Sequence, residues 1–229
     1  MLTSSVWQAD NRGQAFVFAV FLITVITKVA NGQGHTDIEF SYLDGKIVIE
    51  SQDARGLVFA SNFPTSGIEQ QFSTIPGYAS ETDVGMGVGA GDQIVYNVLD
   101  NLLYWDGETV TAPAAETRIR IRNNPPGSAQ TMITAISGPQ PGSVEPPINR
   151  IGKAGGTGDF HTDLQWFLEP NNFPASPPPP EIGAYGVLLT LSTTASGVAD
   201  SDPLMYIFNF GLNPSDFERA LDTLADILN

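Results

Sequence analysis

Both histidines of the chain open the same tripeptide, His35-Thr36-Asp37 and His161-Thr162-Asp163. On an extended strand, residues i and i+2 point to one face, so each copy sets an imidazole beside a carboxylate with the threonine turned away. If the two strands are neighbours, His35, Asp37, His161 and Asp163 converge as two nitrogen and two oxygen ligands. Neutral imidazole with carboxylate suits a divalent metal, zinc foremost, and also copper, manganese or iron. Two other readings stand beside this one. Each Asp can orient its own His as an outer partner, or the tripeptides can be hydrogen-bonded strand ends, duplicated with no ion between them. Catalysis has less to draw on. Two histidines exclude a three-His zinc, and the chain has neither a G-x-S-x-G elbow nor an H-E-x-x-H helix. A hydrolytic carboxylate pair in a deep pocket, about 5 to 10 Å apart, stays open among so many acids.

Three other patterns carry less chemistry. The stretch Gly85–Asp92 (GMGVGAGD) lacks the GK[ST] ending of a phosphate loop and leads into a strand-like segment, so it reads as a turn or bulge. Arg118, Arg120 and Arg122 alternate with Ile119 and Ile121. They line one strand face, which suits pairing with the abundant acids and alternatively an anion. Trp105 and Trp166 follow apolar strands and are expected in or beside the core; exposed, they would suit stacking on a glycan.

The elements that must hold these residues read as many short strands and one helix. In Ile38–Ser51 two β-prone segments flank Asp44-Gly45, a dipeptide favoured in type I′ hairpin turns. Further strands are expected at Gln93–Val98, Leu102–Trp105, Thr117–Arg122, Thr131–Ile136, Phe160–Phe167, Ala184–Leu191 and Leu204–Phe210. Gly, Pro, Asn and Asp punctuate the gaps, and no βαβ rhythm appears. The spacing predicts an all-β fold: an antiparallel β-sandwich, jelly-roll or Ig-like. The helix is expected over 214–228. Asn213 caps it, Pro214 takes the first position, and Phe217, Ala220, Leu221, Leu224 and Leu228 form one apolar stripe. Two long surface loops are expected at Ser137–Gly158 and Glu169–Gly183, the latter holding the polyproline run Pro177–Pro180.

Composition sets the outer limits. The chain has 229 residues, no cysteine, and a formal net charge of −15. That excludes thiol chemistry, disulfides and Cys-ligated clusters. It also disfavours nucleic acid or an anionic membrane surface as partner, and favours cations. Ala15–Thr27 is an unbroken apolar run of thirteen residues, short for a bilayer span but right for a signal-peptide core. Ala30 and Gly32 stand at the −3 and −1 positions for cleavage before Gln33. The expected organisation is therefore a signal peptide over 1–32 and a single β-sandwich domain over 33–229, with no membrane span in the mature chain. Removing the leader takes away Asp10, Arg12 and Lys28 and leaves −16, so the acidity belongs to the exported domain.

Gly34–Ile47 (GHTDIEFSYLDGKI), the Gly-rich Val84–Trp105 ending in a Trp, and His161-Thr-Asp-Leu-Gln-Trp166 followed by Gly183-Ala-Tyr-Gly186 resemble one bacterial family. Its members are exported, often surface-anchored proteins with choice-of-anchor or PEP-CTERM-type sorting tails. The resemblance spans most of the chain after the leader and implies export and, from some relatives, association with a metal, zinc in particular. The family pattern near the second site runs His-x-His before the Trp. Here the later position is Asp163, which implies a mixed His/Asp set rather than an all-His one. No sorting tail follows the Leu221–Leu228 helix, so the resemblance does not imply surface anchoring. The expected function is that of a secreted, non-enzymatic protein binding a divalent metal through the two tripeptides. The rivals are a glycan- or cell-surface-binding module with structural histidines, and a carboxylate-based hydrolase.

Overall fold

The computed structural model describes residues 37–51, 53–66, 71–82, 87–170 and 179–228. The expected leader 1–32, His35, Thr36, Gly85, Met86, and Pro177 and Pro178 of the polyproline run lie outside the described residues. The strands, in chain order, are β1 (Ile38–Leu43), β2 (Lys46–Ile49), β3 (Val58–Asn62), β4 (Phe72–Ser73), β5 (Tyr78–Ser80), β6 (Gln93–Val98), β7 (Leu103–Trp105) and β8 (Val110–Thr111). They continue as β9 (Thr117–Arg122), β10 (Thr131–Thr134), β11 (Arg150–Lys153), β12 (Phe160–Thr162), β13 (Gln165–Pro170), β14 (Gly183–Thr193) and β15 (Leu204–Phe210), before helix α1 (Pro214–Ala225) and a 3-10 turn, Asp226–Leu228.

The result is an all-β, sandwich-like architecture with a single C-terminal helix among the described residues. One layer is a seven-stranded sheet in the order β11-β6-β14-β15-β3, with β7 and β8 attached through β14. Two four-stranded sheets, β12-β5-β1-β2 and β10-β9-β13-β4, cover one of its faces. The pairing is mostly antiparallel, as expected, with two parallel pairs, β1 with β5 and β15 with β3.

Residue alternation explains the layers. On β15, Leu204, Tyr206, Phe208 and Phe210 enter the main core with Tyr185, Val187, Leu189 and Leu191 of β14. The intervening Met205 and Ile207, with Ala184 and Trp105, face the other way and meet Ala220, Leu221, Leu224 and Ala225 of α1. These two central strands are buried on both faces, which is why they read as continuous apolar runs. The helix starts where expected, with Asn213 Oδ1 accepting from the Asp216 N–H at 3.0 Å and Pro214 in the first turn. The β1–β2 hairpin closes through Asp44 and Gly45 with φ of 51° and 76°, the paired positive values that a type I′ turn requires.

Two expectations are corrected. The stretch Ser137–Gly158 is not all loop, because β11 lies within it and pairs with β6. Phe160–Phe167 is not one strand: β12 joins β5 in one sheet, and β13 joins β9 and β4 in another. The chain changes sheets at Asp163-Leu164, beside the residues that could carry chemistry.

A candidate metal centre

The site lies on the outer face of the β12-β5-β1 row. In β1, Ile38 and Phe40 point into the core, so Asp37 and Glu39 are left facing outward. In β12 and the residues after it, Phe160 and Leu164 are buried while His161 and Asp163 are exposed. Thr162 turns away from the site, its hydroxyl lying over Gly152 of β11. The two tripeptide segments are not direct neighbours, because β5 lies between them: Ile38 stands opposite Tyr78, and Thr162 opposite the same Tyr78. One position earlier on β5 is Gly77, whose carbonyl accepts from the Ile38 N–H at 2.8 Å. Register therefore puts Asp37, Gly77 and Asp163 in one row across three strands, with His161 in the next row beside Ala79.

Gly77 makes the convergence feasible. A Cβ there would lie 2.6 Å from Asp37 Oδ1 and closer still to Asp163 Oδ1. Its φ is not in the left-handed region, so what the bare Cα supplies is space rather than backbone freedom. Both carboxylates lean into that space. His161 Nε2 lies 3.1 Å from Asp37 Oδ2. One ligand atom from each of Asp37, His161 and Asp163 falls within 4.8 Å of the others. Ligands at about 2.0–2.2 Å from a tetrahedral zinc lie about 3.3–3.6 Å apart, so a small closure of these side chains would seat an ion.

One oxygen of this group lacks a donor. Asp37 Oδ1 is buried and has no hydrogen-bond partner among the described residues. Desolvation alone disfavours a buried carboxylate oxygen with no donor. Glu39, the next outward residue, has its carboxyl pushed up by burial first and then by Glu50, Glu81 and Asp37. Below the site, Tyr206 is fully buried, and its phenol is pushed up by burial, then by Tyr78 and by Asp37.

Of the four sequence-predicted ligands, Asp37, His161 and Asp163 come together, and His35 lies outside the described residues. Gly77 was not singled out in the sequence, where no local pattern distinguishes it. Trp105 and Trp166 are 2% and 0% exposed, so neither forms the aromatic platform that a stacking glycan module would need. Arg118 and Arg120 pair with Glu169 at 2.5 and 2.7 Å, and Arg120 lies over the Phe167 ring, as expected for arginines facing acids. The hydrolase reading called for a deep pocket. This site is open, with the His161 side chain 65% exposed, and the carboxylate oxygens approach within 4.8 Å.

The Asp/His/Asp group can hold a metal ion. Among the described residues, no helix is long and apolar enough to cross a membrane. Comparison with protein-family models and with curated proteins finds no match to this chain.

Proposed function

We propose that this is an exported, non-enzymatic protein that binds a divalent cation, zinc foremost, through Asp37, His161 and Asp163, with His35 as a further ligand. Export rests on the apolar run Ala15–Thr27 and on the family resemblance. The cation reading is carried by one observation: two carboxylates lean into the space over Gly77, and one of their oxygens is buried and unpartnered.

Magnitudes favour an ion over a bare hydrogen-bonded pair. Two like charges this close repel by about 1 kcal/mol in full solvent and by about 3 kcal/mol at an effective dielectric of 20. An exposed His–Asp pair returns only about 0–1 kcal/mol, and it leaves Asp163 and the second Asp37 oxygen uncompensated. A divalent cation offsets both carboxylates at once, with imidazole as the nitrogen donor that zinc accepts well.

Calorimetric titration of the protein and of His161→Ala with Zn2+, Mn2+ and Cu2+ tests the reading. Wild type is expected to bind one of these ions. The His161→Ala variant should lose more than the roughly 10–100-fold that removal of an outer partner costs. Equal binding by both proteins would reject His161 as a ligand. His35→Ala, titrated alongside, is expected to weaken binding as well, and an unchanged isotherm would restrict the site to the other three residues.

A further inference from the structure

Three surface grooves among the described residues each include one side chain of the candidate metal centre. Asp37 borders a groove with Glu50 and Asp53, and His161 borders one with Glu81 and Asp159. Both are acidic and repel anions. The third, of about 570 Å³, is different: Asp163 stands at its edge, and Arg122, Asn124, Ser128, Gln130 and Gln165 line it. That volume is in the range of small-ligand sites. Its lining offers amide and hydroxyl groups and one guanidinium.

The outward row that starts at His161 and Asp163 continues into this groove. The buried residues Leu164, Trp166 and Leu168 alternate with outward-facing Gln165, Phe167 and Glu169. Gln165 stands directly opposite Arg122 and accepts from its Nη1 at 3.2 Å. The Phe167 ring supports the same guanidinium, 4.9 Å from its centroid. Glu169 takes up Arg118 and Arg120. Arg122, exposed at the end of the stripe nearest the centre, makes no ion pair among the described residues. It is held in place by a neutral amide and a ring, and its remaining N–H donors have no partner among the described residues.

We infer that this groove binds a polyhydroxylated carboxylate, the chemistry of a uronic acid, and does so only when the cation is present. The inference rests on the cation reading above. Without an ion, Asp163 at the groove's edge and Asp37 close to it carry two negative charges, and Arg122 alone does not offset them. A divalent ion would neutralise these two carboxylates and leave the Arg122 charge unopposed at the groove. A carboxylate then meets a guanidinium fork built for that planar group. The amides of Asn124, Gln130 and Gln165 and the Ser128 hydroxyl suit sugar hydroxyls. With both tryptophans buried, recognition here is polar rather than by stacking.

The test is titration of the protein with D-glucuronate, D-glucose and inorganic phosphate, each in saturating Zn2+ and again in EDTA. Glucuronate is expected to bind in zinc and not in EDTA, with glucose and phosphate at least tenfold weaker. Arg122→Ala should keep zinc affinity while losing about tenfold or more in glucuronate affinity, the worth of a charge-assisted hydrogen bond. Arg122→Lys should recover part of that loss. Zinc binding without glucuronate binding, equal glucuronate binding in EDTA, or phosphate binding as tightly as glucuronate overturns this inference and leaves the cation reading intact. Absence of zinc binding overturns both.

Discussion

Gly77 contributes no ligand atom to the proposed site, yet its bare Cα leaves open the space that Asp37 and Asp163 share. Its backbone is outside the left-handed region, so alanine is conformationally allowed there. A Cβ would nonetheless occupy the space into which both carboxylates lean. Gly77→Ala is therefore expected to fold normally, by circular dichroism and thermal melting, while zinc affinity falls at least tenfold. A Gly77→Ala protein that binds zinc as wild type does would show that the carboxylates meet elsewhere. This residue also marks a limit of reading by sequence. The repeated His-Thr-Asp was legible because strand periodicity fixes the side to which i and i+2 point. Gly77 was not, because its importance arises only when β5 inserts between β1 and β12. One glycine among 23 carries no sign of that.

At the scale of elements, alternation reported faces faithfully but not partners. The hairpin, β6, β9, β15 and the helix start were all legible, since turn chemistry, period and capping each act locally. The split of Phe160–Phe167 was hidden, because its in-out rhythm runs unbroken through the change of sheet. Strand β11 was hidden among Gly and Pro, and β6 is what holds it in place. Two predictions belong here. Asn213→Ala removes the acceptor for the Asp216 N–H and should cost about 1 kcal/mol by denaturant unfolding. A loss below a few tenths of a kcal/mol would mean that packing against β14 and β15 alone fixes the helix start.

The second prediction concerns Glu39, which faces Glu50 across the hairpin and has its carboxyl pushed up by burial and by that neighbour. A raised folded-state pKa means that protonation favours the fold. This contribution is full at acid pH, below the unfolded value, and disappears as pH rises through the folded one. Glu39→Gln should therefore stabilise the apo protein by about 0.5 kcal/mol at pH 7, within the range for cross-strand like charges, and by nothing measurable near pH 3. A stabilisation independent of pH would assign the effect to packing instead.

Over the whole molecule, the seven-stranded sheet is closed on one side by α1 and on the other by the two smaller sheets. The surface around the Asp37, His161 and Asp163 cluster is acidic, with Glu39, Glu50 and Glu81 nearby. A chain carrying −15 formal charges attracts cations to its surface, and the residues over Gly77 bring two carboxylates and an imidazole together there. Charge and the absence of cysteine were legible from composition. Composition could not say where on the surface the charges would oppose one another, because that depends on three strands distant in sequence. The most direct test is elemental: equilibrate the protein with Zn2+, remove free metal by gel filtration, and measure zinc per chain by mass spectrometry. One zinc per chain, absent when both Asp37 and Asp163 are changed to Asn, is the expected result. A wild-type protein that emerges without zinc, or a double variant that retains it, would contradict the assignment.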